Sequence, residues 1–146
     1  MPTTSASNLD KEFERLGAHW SPRVVAMANG HHVKLAKVKG AFVWHCHAEE
    51  DEFFLVRKGR LIIRFSDRPE VALAEGDFHA LPRGIEHMAA APEQCWVVLV
   101  EPATTKHAGD TEHELTTSIE QQLAHLRGPA QDTRQQETEA QWPSKS

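Results

Sequence analysis

Cysteine is scarce in this chain: Cys46 and Cys95 stand alone, and no CxxC pair occurs. A disulfide scaffold is excluded, and a reducing, cytoplasmic setting is the expectation. Long apolar runs are missing as well. The longest covers residues 96–100, far short of the roughly 20 apolar residues that a bilayer-spanning helix needs. The first residues carry no apolar signal-peptide core. There is no block of five or six basic residues, and the formal net charge is −5. That balance argues against nucleic acid and against anionic membranes as partners. No GxSxG, Walker A, GxGxxG or Ser-His-Asp order is found, so none of those chemistries has a starting point.

Histidine, by contrast, is plentiful, with ten in 146 residues. Imidazole is the commonest protein metal ligand, so clustering matters more than the count. A chain of this length suits one domain with a core of its own. Composition divides it into an N-terminal arm at 1–22, a β-barrel at 23–102, a C-terminal helix at 103–128 and a flexible polar tail at 129–146.

Leu9, Phe13, Leu16 and Trp20 fall near one helical face and predict a short helix ended by Gly17, covering a sheet or a dimer contact. Asn29-Gly30 lies between two strand-like runs and predicts a hairpin. The lysines of the second run, Lys34, Lys37 and Lys39, suit an exposed or edge strand, and His31 and His32 read as solvated. Further short strands are expected at 42–47, 52–57, 60–65, 71–74, 78–81, 88–91 and 94–100, with 52–57 and 60–65 forming a hairpin around Lys58-Gly59. Many short strands split by turns indicate an all-β sandwich or barrel. Thr111 and Glu114 form a capping-box pattern, and Leu115, Ile119, Leu123 and Leu126 share a stripe up to Gly128-Pro129.

Side chains alternate along a strand, so His45 and His47 point one way and Cys46 the other. The alternating set Glu52, Phe54 and Val56 brings a carboxylate to the same interior if it faces inward. Pro82-Arg83-Gly84 makes a tight turn that returns His87 to the barrel mouth. Three imidazoles and one carboxylate form a mixed N/O metal site. Each would cost about 1–3 kcal/mol if buried unpaired, and one divalent ion satisfies all four.

Gly40, His45, His47, Glu52 and Gly59 resemble the first motif of the cupin superfamily, with the gap after Gly40 one residue shorter than usual. Gly76, Pro82, Gly84 and His87 resemble the second, with Ala91 where the family often carries Asn. The surrounding text is similar to small single-domain cupins with a mannose-6-phosphate isomerase-like label. The resemblance implies a jelly-roll β-barrel, usually a homodimer, with His45, His47, Glu52 and His87 as ligands of a divalent ion: Fe, Mn, Ni or Zn. It further implies a metalloenzyme of isomerase, lyase or dioxygenase type acting on a small organic molecule. The alternative is a metal-loaded ligand-binding or sensor module without turnover. Asp51 competes with Glu52 for the carboxylate position, but Glu52 has the right spacing to Gly59. His79, on the 78–81 strand, is a candidate acid/base.

Overall fold

The computed structural model describes residues 5–109, 111 and 116–126. Strands β1 (Arg23–Ala28) and β2 (His31–Ala41) form the expected hairpin, pairing Ala28 with His31. Asn29 and Gly30 both take left-handed backbone angles, the geometry of a two-residue hairpin turn that follows strand twist. The chain continues through β3 (Glu52–Lys58), β4 (Leu61–Phe65), β5 (Val71–Leu73), β6 (Phe78–Leu81) and β7 (His87–Pro102).

The last of these is the spine of the sheet. On one side β7 pairs with β2 from His31↔Pro102 to Ala41↔Ala90. On its other side it pairs first with β4, through His87 to Ala90, and then with β3, through Trp96 to Val100. The two expected strands at 88–91 and 94–100 are therefore one. Pro92 signals a break in the sequence but sits where the β2 register shifts, a bulge that tolerates its missing N–H.

Three other expectations change. No pairing joins β3 to β4. Each pairs with a different part of β7, and the chain turns a corner at Gly59, where a Cβ would lie 2.6 Å from the Gln94 carbonyl oxygen. The segment 42–47 makes no strand; it is tied to β7 by the Phe42 N–H donating to the Ala89 carbonyl at 2.9 Å and by an isolated bridge from His45 to His87. The antiparallel sheet runs β1-β2-β7-β3-β6, with β4 and β5 off that path, and it does not close into a barrel among the described residues.

Alternation along the strands places the core. The inner face carries Ala36, Val38, Phe54, Val56, Ile63 and Val97. On the outer face, Leu35 and Val98 are covered by Phe13 and Leu16. The helix bearing Phe13 is α1 (Leu9–Glu14), N-capped by the Asn8 side chain and closed before Gly17. Phe13 stacks on Trp96 at 4.8 Å. Trp20, placed on that same helical face by the sequence pattern, reaches the inner core instead. It does so through a left-handed backbone angle of 57°, and its ring stacks on Phe42.

β2 is an interior strand, not an edge. Lys34 is 1% exposed and faces Glu101 at 3.7 Å, and His32 is buried rather than solvated. The late helix is α2 (Ile119–Leu123), capped by a reciprocal Ser118–Gln121 box. The expected Thr111–Glu114 box falls on Glu114, outside the described residues, as do Leu115, Gly128-Pro129 and the polar tail. Among the described residues no helix is long and apolar enough to cross a membrane.

Candidate metal centre

The site is assembled from two segments that backbone bonds tie together. His45 and His87 exchange both main-chain hydrogen bonds, at 3.0 and 2.9 Å, and the Gly84 N–H donates to the His47 carbonyl at 2.8 Å. The Pro82-Arg83-Gly84 turn is thus fastened to the His-x-His segment, and the later histidine lands beside the earlier two. Glu52 opens β3 with Phe54 and Val56 on its inward face, all three buried. Glu52 opposes Leu81 on β6.

His45, His47, Glu52 and His87 are all buried, and one ligand atom from each lies within 4.8 Å of the others. Ligands about 2.1 Å from a common ion stand about 3–4.2 Å apart, so only small side-chain movements separate this cluster from a coordination shell. The sequence-predicted set is brought together in full.

Hydrogen bonding orients the rings. His45 Nδ1–H donates to the Val43 carbonyl at 2.8 Å, and His87 Nδ1–H to the Ile85 carbonyl at 2.9 Å. Each imidazole is held in the tautomer whose Nε2 lone pair points inward, the usual support of a metal-binding histidine. The inward atoms lack partners: His47 Nε2, His87 Nε2 and Glu52 Oε1 are buried without a satisfactory hydrogen bond. Both Nε2 atoms stand from Glu52 Oε1 at the outer limit of such a bond, 3.4 and 3.5 Å. Buried polar groups are normally satisfied, and a cation at their centre would satisfy these three together.

Electrostatics is consistent with such a set. Burial pushes the Glu52 carboxyl up, but the contacts and charge of His47 and His87 outweigh it and hold the group below the usual carboxylate range. Burial, reinforced by His87, lowers His45 to about 4, which leaves it neutral at physiological pH and ready to donate a lone pair. For His47, burial works downward while Glu52 prevails and raises it.

A cavity of about 50 Å³ adjoins the cluster. Its walls include His45, Glu52 and His87 together with Trp20, Phe42 and Leu61, and among the described residues no lysine or arginine. His107, which carries no spacing signal in the sequence, also lines it, stacked on Phe42 at 4.5 Å. His79 does not. It lies half-buried on β6 opposite Phe54, edge-on to Phe65, and is not among the cavity walls. Asp51 is exposed and accepts from the Arg83 N–H, away from the cluster. Cys46 is not part of the cluster, and both cysteines are free.

A cupin domain family model matches residues 31–101. Among solved structures, a cupin-2 domain containing protein from Shewanella frigidimarina is 43% identical, with a TM-score of 0.64 over 66% of this chain and 93% of that one. The Bacillus subtilis protein YdbB is 36% identical over 63 residues, 43% of this chain; the match spans 56% of that relative, little more than half its length. A hydroquinone 1,2-dioxygenase from Sphingomonas, solved with 4-hydroxybenzoate bound, shares the fold at 19% identity and a TM-score of 0.59, over 66% of this chain and 31% of that protein.

Proposed function

The chain belongs to the cupin family, and on that premise we propose that it is a metal-dependent enzyme acting on a small organic molecule. His45, His47, Glu52 and His87 would hold one divalent ion. The observation that carries this reading is the convergence of buried, unpartnered Nε2 and carboxylate atoms, with two of the imidazoles locked by carbonyls behind them. Such an ion, when bound, supplies Lewis-acid polarisation of a substrate oxygen.

The walls narrow the substrate class. A phosphorylated sugar needs cationic and hydrogen-bonding side chains to replace its hydration, and the cavity lining offers no lysine or arginine among the described residues. An apolar cavity that takes up benzene measures about 150 Å³, three times the volume found here. The site therefore favours a short-chain, mostly apolar molecule with a carbonyl, hydroxyl or carboxylate oxygen at the reacting end. Apolar walls such as Phe42, Phe54 and Leu61 exclude water around that end. Isomerase- or lyase-type chemistry fits these dimensions better than attack on an aromatic ring. The working unit in this reading is a homodimer; Phe78, 65% exposed and stacked on Phe53 at 5.6 Å on the outermost strand, offers an apolar surface for it.

The test is ligand binding to the cobalt-loaded protein, read in the visible spectrum. Acetohydroxamate, small and with two ligating oxygens, should perturb the bands, and mannose 6-phosphate should not. Tighter binding of the sugar phosphate would overturn the assigned substrate class. Saturable binding of short-chain oxo-acids with no turnover of any would favour the sensor reading.

A further inference from the structure

His107 sits in a wall built with unusual closeness against the metal-binding segment. Ala108 beside it is buried in the inner core. Gly109 takes a left-handed backbone angle, and a Cβ there would overlap the Cys46 carbonyl oxygen. Only glycine lets the 103–109 segment approach this near, which fixes His107 over the cavity instead of leaving it on a surface loop.

The ring is fixed in orientation as well as position. Its face stacks on Phe42, whose other ring contacts are Trp20 and His45, the latter edge-on. Its Nδ1 accepts the Thr117 backbone N–H at 2.9 Å, and the Thr117 hydroxyl lies at 3.3 Å. A backbone N–H can only donate, so Nδ1 is the unprotonated nitrogen and Nε2 carries the hydrogen. This is opposite to the Nδ1–H tautomer held at His45 and His87. Burial lowers the His107 pKa to about 4, so the ring is neutral at physiological pH and its tautomer is well defined.

We propose that His107 is the hydrogen-bond donor of the substrate pocket, presenting Nε2–H to a free oxygen of a small oxo- or hydroxy-compound whose other oxygen is held at the His45–His47–Glu52–His87 cluster. The assignment rests on the metal-site reading above and adds to it the residue that orients the ligand. A donor on the apolar side of the cavity selects molecules with two oxygens over those with one. A site built to donate a hydrogen bond rejects an analogue lacking the acceptor.

Two measurements test this. In long-range proton–nitrogen NMR spectra of the metal-free protein, His107 should appear as the Nε2–H tautomer. Thr117→Pro, which removes the donating N–H, should mix the two tautomers. A protonated Nδ1 in the wild-type protein overturns the proposal, whether or not metal binds. In the cobalt-loaded protein, His107→Phe keeps the stack on Phe42 but removes the donor. Acetohydroxamate should then bind roughly tenfold more weakly, the worth of about one hydrogen bond, with metal content unchanged. His107→Gln, which retains an N–H, should recover most of that loss. Equal affinity in wild type and His107→Phe, at equal metal content, overturns the proposal and leaves the metal site standing. Failure to load cobalt at all overturns the metal site, and the metal-free NMR result still decides the tautomer.

Discussion

Replacing Glu52 by Gln separates the metal reading from a merely structural role for the cluster. The amide keeps the shape and volume of the carboxylate but removes the one anionic ligand. In the metal-free protein Glu52 contacts His47 and His87 at 3.4 and 3.5 Å, so the swap shifts baseline stability by about 1–3 kcal/mol at most. The informative quantity is the stabilisation each variant gains from metal, because the baseline cancels. A ligand at a hundred times its dissociation constant stabilises by about 2.7 kcal/mol. For a chain of this size each kcal/mol moves the midpoint by about 2–4 °C, so wild type should gain about 5–10 °C. Losing the charged ligand should weaken affinity at least a hundredfold, and at the same metal concentration the gain should nearly vanish. Differential scanning calorimetry, with and without zinc or manganese after chelator treatment, reads this directly. An undiminished gain in Glu52→Gln would refute the argument that the carboxylate is a ligand.

In a Glu101→Gln background, acidification should destabilise the metal-free protein between about pH 6.5 and pH 4; in the wild type Glu101, raised to about 8 by burial and the Glu52 charge, binds a proton more readily when folded and offsets the loss. His45 and His107 are both lowered to about 4 by burial, so the unfolded chain binds more protons throughout that window and stability falls as pH drops. Each contributes about 3 kcal/mol at the acid end, while the raised His47 acts in the opposite sense only above about pH 6.5; urea melts across the range measure it. Lys34→Met should destabilise by about 1–3 kcal/mol, the cost of an unmade buried polar contact rather than of a stranded charge, because burial and the Glu52 charge raise the Glu101 carboxyl to about 8 and leave it largely protonated at neutral pH, and adding Glu101→Leu should recover much of the loss. Cys46→Ser should leave metal content unaltered, and a thiol reagent should modify half-buried Cys46 while sparing buried Cys95, whose thiol burial pushes up to about 12.

The parts of the fold legible in the sequence were those set by local rules. Asn29-Gly30 dictates its own turn, and the alternation of Glu52, Phe54 and Val56 assigns their face without any partner strand. The four clustered side chains were legible for the same reason: His45 and His47 are one residue apart, and the Pro82–Gly84 turn delivers His87. What stayed hidden depends on distant contacts. A lysine reads as exposed until Glu101 comes to meet it, as happens at Lys34. Pro92 reads as a strand break, yet β7 absorbs it in a bulge because β4 and β3 pair on either side. The corner at Gly59 looks like a hairpin because the competition of both strands for β7 is not written near it. His107 gives no local sign, since its position comes from the close approach of Gly109 to Cys46 and its tautomer from Thr117.

Elemental analysis of the purified protein, with no metal added, bears most directly on whether the three rings and the carboxylate enclose a cation. About one divalent ion per chain is predicted for the wild type, with His47→Ala losing it while its circular dichroism keeps the β-sheet signature. A wild type that retains none of iron, manganese, nickel or zinc after incubation at neutral pH and desalting, or a His47→Ala variant with equal metal content, would contradict the account.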